Sequence, residues 1–175
     1  MTHSAPGGRR QRGAGALTGI SLLAVLWFSF MFFVVFPAGI LWWTDGGFLP
    51  PAGASRLLGF AIIALGLLAW SGPLRRFVSE GRGTPAPVAP PDTLVVTGLY
   101  TRIRNPMYAS YIVIVLGEAL LFRSFALALY ALVLFGIAHA YVVGSEEAVL
   151  RQRFGSQYDD YCARVDRWLP RRRAD

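Results

Sequence analysis

The longest uncharged stretch of this chain constrains its fold more than any other feature. No charged residue occurs from Leu17 to Trp43, and the stretch includes the run LLAVLWFSFMFFVVF. A helix rises about 1.5 Å per residue, so roughly 20 apolar residues are enough to cross the hydrocarbon of a bilayer. The stretch therefore predicts a membrane-spanning helix and argues against an ordinary soluble domain.

Three further apolar blocks of spanning or nearly spanning length follow, at residues 57–74, 107–122 and 124–144. The first of these is broken near its end by Ser71, Gly72 and Pro73. Hydrophobic residues make up 54% of the chain and charged residues only 15%, which is unusual for a soluble domain of this size. We therefore predict an all-α membrane protein with about four transmembrane helices and a C-terminal amphipathic cytoplasmic helix.

The basic residues, all 17 of which are arginines, predict the orientation. Three precede the first block, five lie between the second and third blocks, and seven follow the fourth. Only Arg56 and Arg123 fall in the other two connections. Because cytoplasmic loops carry the excess of arginine and lysine, we expect a multi-pass protein of the cell inner or plasma membrane with both termini in the cytoplasm.

Several classes of function are disfavoured by what the sequence lacks. The net charge of +7 comes from arginines that flank apolar blocks, which predicts no nucleic-acid partner. Cys162, His3 and His139 are the only cysteine and histidines, so no metal site is predicted. The chain contains no glycine-rich dinucleotide motif, no phosphate-binding loop and no Gly-x-Ser-x-Gly nucleophile motif.

The segment Thr93 to Tyr111 departs from a plain helical bundle. Thr93 to Val96 is predicted to form a short strand, and Gly98 a turn. Asn105 is then a suitable N-cap and Pro106 a suitable first residue for the third spanning helix. On this structural interpretation Arg102 and Arg104 anchor the helix at the interface. On the functional one, the helix start and these arginines together bind an anion.

The segment from Gly144 to Pro170 contains an acidic pair followed by an apolar stripe. We expect a helix to restart at Ser145, because Glu146 and Glu147 would then lie in its favourable first turn. The stripe consists of apolar and aromatic residues at steps of three or four, namely Leu150, Phe154, Tyr158, Tyr161, Val165 and Trp168. This helix is predicted either to lie on the inner leaflet or to pack as a lid over the preceding segment.

Two ionisable side chains fall within predicted spans. Glu118 and His139 are candidates for function, since a polar group facing lipid is costly. Either residue is also compatible with a satisfied hydrogen bond between helices. His139 lies two turns before the acidic pair and is therefore the stronger candidate for a site residue.

The two polar segments together resemble the isoprenylcysteine carboxyl methyltransferase and phospholipid methyltransferase superfamily. The family pattern is Gly-Pro-Tyr, Arg-His-Pro-x-Tyr, Glu-Glu-x-x-Leu and Phe-Gly-x-x-Tyr. The residues that match it in order are Gly98-Leu99-Tyr100, Arg104-Asn105-Pro106-Met107-Tyr108, Glu146-Glu147, Leu150, Phe154-Gly155, Tyr158, Tyr161, Val165 and Arg167-Trp168-Leu169-Pro170. Leu99 replaces the usual proline and Asn105 the usual histidine. The resemblance covers residues 93–171.

The resemblance implies an integral membrane methyltransferase that uses S-adenosylmethionine on a lipophilic acceptor, with membrane lipids as partners. It implies Arg104 and Glu147 as catalytic residues. It implies a cofactor site that comprises Gly98, Leu99, Tyr100, Arg104, Asn105, Pro106, Tyr108, His139, Glu146 and Glu147. The acceptor remains open between an isoprenylcysteine-type carboxylate, a phospholipid amine and another lipid-like molecule.

The chain is accordingly divided into a basic cytoplasmic tail (1–16), two transmembrane helices (17–74), a Pro-rich linker (75–97) and a methyltransferase-like core (98–175). Two other hypotheses remain. One is an NADPH-binding membrane reductase, because the C-terminal portion of membrane sterol reductases is similar. The other is a non-catalytic helix bundle that binds lipid.

Overall fold

The computed structural model describes residue 19 and residues 22–44, 47–79 and 93–171. The main elements of this part of the chain are five helices, which we number in chain order. They are α1 (Leu22–Thr44), α2 (Ala54–Ser79), α3 (Pro106–Phe122), α4 (Phe125–Phe154) and α5 (Ser156–Arg164). A short 3₁₀ helix, Gly98–Thr101, precedes α3.

The predicted fold class is confirmed, since the described residues are mainly helical and contain no strand. Helices α1, α2 and α4 are each long and apolar enough to cross a membrane. Helix α3 has 17 residues, which is close to the minimum for a span. Four spans and cytoplasmic termini stay predictions. The tail at residues 1–16 and the proline-rich part of the linker at residues 81–92 lie outside the described residues.

The Ser-Gly-Pro sequence at residues 71–73 does not end α2. The helix continues through a buried Pro73 to Ser79, five residues into the predicted linker. A proline in a helix removes one backbone donor, here the one that would bond to the carbonyl of Ala69, and membrane helices tolerate this. Close by, the Ser71 hydroxyl donates to the carbonyl of Leu68 at 2.9 Å, and Nε of Arg75 donates to the carbonyl of Ser71 at 3.3 Å.

Helices α2 and α3 form the most extensive helix pair, and glycines bring their backbones together. A Cβ on Gly59 would lie 2.7 Å from the backbone of Leu121, and one on Gly117 would lie 2.9 Å from the backbone nitrogen of Ile63. Apolar side chains offer no hydrophobic advantage over lipid, so close backbone packing of this kind is what holds membrane helices together.

A tight turn joins α3 to α4. Arg123 adopts a left-handed conformation (φ 53°) and ends α3, and the Ser124 hydroxyl accepts from the backbone N–H of Leu127 at the start of α4. The Arg123 guanidinium also reaches α2, where Nε donates to Oγ of Ser55 at 2.8 Å. Leu41 of α1 packs beside this turn with Ala119 of α3 and Leu127 of α4, so with the Ser55 contact four helices meet there.

The acidic pair does not begin a new helix at Ser145. Helix α4 continues from Phe125 to Phe154 through one π-helical turn, Val142–Glu146. The unfavourable helix end that motivated the predicted restart is absent because the helix continues for two turns beyond the acids. The extra residue of a π turn also changes the direction in which the following side chains project.

The predicted C-terminal stripe is divided between two helices. Gly155 (φ 52°) ends α4 and redirects the chain into α5, and Val165 is already extended. Tyr158, Tyr161 and Val165 form a buried cluster with Leu94 packed against it. The stripe therefore packs on the segment before α3, as the lid interpretation expected. The segment Thr93 to Val96 forms neither a strand nor a helix, so the predicted strand is wrong.

Candidate functional site

Backbone contacts bring the two polar segments side by side. Ile103 forms a parallel bridge with Asp166. The Arg104 N–H donates to the carbonyl of Asp166 at 2.9 Å, and both the backbone N–H and the side-chain amide of Asn105 donate to the carbonyl of Arg167 at 3.3 Å. The loop before α3 and the segment after α5 therefore form one unit, although about 60 residues of chain separate them.

Asn105 occupies the N-cap position and Pro106 the first turn of α3, as the sequence predicted. The Asn105 side chain does not cap the helix, because its amide bonds to Arg167 instead. The first turn of α3 thus receives no side-chain cap. Backbone N–H groups at such a helix start are suitable for binding an anion.

Glu147 lies at the centre of an arginine cluster. Its carboxylate accepts from Nη1 of Arg104 at 3.1 Å, from Nη2 of Arg167 at 3.1 Å and from Nη2 of Arg151 at 3.4 Å. Its side chain is only 4% exposed and that of Arg104 only 10%. The hydrogen bond to Glu147 raises the pKa of Arg167. Glu147 thereby joins α4 to both polar segments.

Glu146 has a different environment from its neighbour. It is half-buried, and Oε2 accepts a hydrogen bond from the Tyr108 hydroxyl at 3.0 Å. Tyr108 belongs to the first turn of α3, so this pair lies beside the uncapped helix start. The two acids of the motif thus divide into a buried carboxylate neutralised by arginines and a more accessible one bonded to a tyrosine.

Gly98, Leu99 and Tyr100 form the short 3₁₀ helix that precedes this pair. Gly98 has a φ of 60°, and a Cβ there would collide with the Arg76 guanidinium of α2. Tyr100 is buried, and its carbonyl accepts from the Tyr161 hydroxyl at 2.7 Å. Leu99 is 39% exposed. The positive φ favours glycine at this position, whereas the Arg76 side chain is flexible and could move away from a Cβ.

His139 of α4 contacts the segment after α5. Its Nδ1 accepts from the indole N–H of Trp168 at 3.1 Å, and the Trp168 ring packs edge-on against Phe135 at 5.2 Å. His139, Arg104 and residues 166–171 line an open cleft of about 440 Å³. This volume falls within the range of small-molecule sites, roughly 300–1,000 Å³.

The structure therefore brings the predicted site residues to one end of α3 and α4, in two groups. Arg104, Asn105 and Glu147 join the polar segments, while Tyr108 and Glu146 pair beside the helix start. Glu118 lies apart from both groups near the opposite end of α3, and its buried Oε2 has no hydrogen-bond partner among the described residues.

The sequence did not identify several contributors as site residues. These are Arg151, Cys162, Arg167 and Trp168, together with the Tyr161 hydroxyl. A signal existed for Arg151, since it follows Glu147 by four positions on one helix face. No local pattern indicates the contact of Cys162, whose Sγ lies 2.8 Å from Nη1 of Arg104.

Part of this chain is similar to one known protein. A stretch of 78 residues is 32% identical to the "Nickel-cobalt-cadmium resistance protein NccN" of Alcaligenes xylosoxydans xylosoxydans. That match covers 45% of this chain and 36% of the relative, so the chain spans only about a third of the relative's length. Within the described residues, no group of three or more His, Cys, Asp or Glu side chains is arranged to hold a metal ion.

A family pattern matches a longer part of the chain than this relative does. The phospholipid methyltransferase pattern matches residues 55–157, which is more than half of the 175 residues. The match begins at the start of α2 and extends into α5, so it includes Arg104, Tyr108 and both acids. The predicted superfamily is thereby confirmed, and the chain belongs to the phospholipid methyltransferase family.

Proposed function

We propose that this protein is an integral membrane methyltransferase that transfers a methyl group from S-adenosylmethionine to a lipophilic acceptor. The observation that carries this proposal is the Glu146–Tyr108 pair beside the uncapped start of α3. At this place a carboxylate, which can bind a cation, lies beside backbone N–H groups, which can bind an anion. Family membership supports the reaction class.

The residues present fit the charges of S-adenosylmethionine. This cofactor has a carboxylate, an amino group and a cationic sulfonium. The N–H groups of the first turn of α3, helped by Arg104, would bind the carboxylate. The Glu146 carboxylate and the rings of Tyr100 and Tyr108 would face the cationic groups. These assignments propose specific contacts for residues of the cofactor site that the sequence predicted.

When bound, S-adenosylmethionine supplies an activated methyl group, so direct displacement by the acceptor needs no further electrophile. The principal task of the protein is then to hold the acceptor in line and to exclude water. Helix α5 is suited to excluding water, because its buried tyrosines pack against Leu94 and the Tyr161 hydroxyl bonds to the Tyr100 carbonyl before α3.

Arg104 and Glu147 remain the proposed catalytic pair, and the geometry suggests how they cooperate. Glu147 orients the Arg104 guanidinium through a short, nearly buried ion pair. Asn105, which stands where the family has histidine, is held by the carbonyl of Arg167. We therefore assign no acid–base role to Asn105 and regard it as a positioning residue.

The acceptor is proposed to reach this site from the bilayer. Helix α4 has exposed apolar residues, among them Leu132, Ile137 and Val143, along which a lipid tail could lie. We propose that the site faces the cytoplasm, where the arginine distribution predicts it.

Calorimetry on the full chain in an uncharged detergent tests the cofactor assignment. We expect saturable binding of S-adenosylmethionine that weakens at least tenfold in Glu146→Gln, since a charge-assisted contact contributes about 1.5–3 kcal/mol. Asp160→Asn, an exposed acid on α5, serves as the control and should bind normally. Absence of saturable binding to folded protein would refute the proposal, and preferential binding of NADPH would favour the reductase hypothesis.

A further inference from the structure

The C-terminal end of α2 contacts the segment that leads into the candidate site. Helix α2 continues past Pro73 and packs against the 3₁₀ helix Gly98–Thr101. Nη1 of Arg76 donates to Oγ1 of Thr97 at 2.9 Å. A Cβ placed on Gly98 would collide with Nε of the same arginine, so the guanidinium lies directly on the Gly98 backbone. Arg76 therefore contacts both residues at which the 3₁₀ helix begins.

Thr97 is the residue from which the backbone bonds of this short helix start. Its carbonyl accepts from the N–H of Tyr100 at 3.2 Å, while its hydroxyl accepts from Arg76. A 3₁₀ helix of four residues has poor hydrogen-bond geometry and little stability of its own. Its position therefore depends on contacts from neighbouring elements, and Arg76 supplies one of them from α2.

Tyr100 connects the 3₁₀ helix to the contacts proposed for the methyl donor. Its side chain is buried, and its carbonyl accepts from the Tyr161 hydroxyl at 2.7 Å. Burial and the nearby Glu146 carboxylate raise the pKa of the Tyr100 hydroxyl. A displacement of the 3₁₀ helix would therefore move the Tyr100 ring relative to Glu146, the carboxylate proposed to face the cationic groups of the donor.

We propose that Arg76 is a positioning residue of the methyl-donor site, which it serves by holding the start of the 3₁₀ helix on α2. This inference rests on the proposed function and adds to it a residue that acts through the turn. The alternative is that Arg76 only anchors α2 at the membrane surface, as arginines near the ends of spans commonly do. Its neighbour Arg75 separates the two interpretations, because the Arg75 guanidinium bonds within α2, to the carbonyl and hydroxyl of Ser71.

Hydrogen exchange of the full chain in an uncharged detergent, without S-adenosylmethionine, measures how firmly the turn is held. The reporting amides are those of Tyr100, Arg102 and Ile103, whose N–H groups bond to carbonyls of this turn. We expect Arg76→Gln to accelerate their exchange about fivefold, the effect of one lost hydrogen bond. Arg75→Gln removes the same charge one residue earlier and should leave the exchange unchanged. No acceleration in Arg76→Gln, or equal acceleration in the two variants, would refute the role of this contact.

Calorimetry with S-adenosylmethionine then connects the turn to the site. Arg76→Gln should weaken binding about threefold, the cost of ordering one freed side chain on binding. Arg76→Lys retains a donor and should recover most of the affinity, and Arg75→Gln should bind like wild type. Thr97→Val removes the accepting hydroxyl, so the double variant Arg76→Gln/Thr97→Val should bind no more weakly than either single variant. Additive losses would overturn the assigned contact.

The two measurements separate this inference from the proposed function. If the wild-type protein binds no S-adenosylmethionine, the proposed function fails and the donor role of Arg76 fails with it, whereas the exchange rates still decide whether Arg76 holds the turn. If the wild-type protein binds the cofactor and Arg76→Gln accelerates exchange without loss of affinity, the proposed function stands and the positioning role is wrong.

Discussion

Replacing Glu147 by glutamine tests whether this carboxylate holds the two polar segments together. The side chain is 4% exposed and shares its oxygens among three arginines, of which only Arg104, at 10% exposure, is also nearly buried. Arg167 and Arg151 are 38% and 47% exposed, so solvent screens these pairs and each contributes only about 0–1 kcal/mol. Loss of one partner of a buried pair costs about 3–5 kcal/mol.

We take about 3 kcal/mol as the expected cost, because Arg104 retains its contact with Cys162. This corresponds to about a hundredfold shift in the equilibrium between docked and undocked C-terminal segment. Limited digestion with trypsin measures that equilibrium, since cleavage follows local opening when opening and closing are fast. We expect cleavage at Arg164 to become about a hundred times faster in Glu147→Gln.

The neighbouring acid is a stringent control for this prediction. Glu146 is half-buried and accepts one hydrogen bond from Tyr108, which the oxygen of a glutamine can also accept. Glu146→Gln should therefore digest at the wild-type rate while losing affinity for S-adenosylmethionine. If Glu147→Gln were cleaved no faster than wild type, or if both variants were cleaved equally fast, the assigned role of Glu147 would be wrong.

Three further predictions concern the packing around the site and can be measured by thermal unfolding in detergent. Gly155→Ala should destabilise the protein by about 1–3 kcal/mol through backbone strain alone, since a Cβ there meets open space. The control Gly136→Ala lies in a regular helix with equally open space and should be neutral or slightly stabilising. Gly59→Ala should separate α2 from α3, since the Leu121 backbone cannot yield, whereas Gly39→Ala should have little effect. Burial raises the pKa values of Tyr158 and Tyr161, whereas unfolded tyrosines ionise near pH 10. The free energy of unfolding should therefore hold below about pH 10 and fall above it. The fall should be shallower in Tyr161→Phe, and an equal slope in wild type and variant would contradict this.

The sequence alone determined the environment of this protein and most of its helices. An uncharged run such as Leu17 to Trp43 has one stable solution in a bilayer, because every backbone group must bond within its own segment. The start of α3 was likewise determined locally by Asn105 and Pro106. The local rules failed at the acidic pair. The acids did not start a helix at Ser145, because α4 continues past them and their partners Tyr108, Arg104 and Arg167 come from other segments.

The composition of the site was only partly contained in the sequence. The family pattern indicated Arg104, Tyr108 and both acids, and it confirmed the class to which the chain belongs. It did not indicate that Glu147 is neutralised by arginines while Glu146 faces a tyrosine, because that difference arises from the π turn and from the segment after α5. The cleft beside His139 also requires residues about 30 and 60 positions apart in the chain. Contacts of this range depend on the packing of whole helices, which no local period or motif determines.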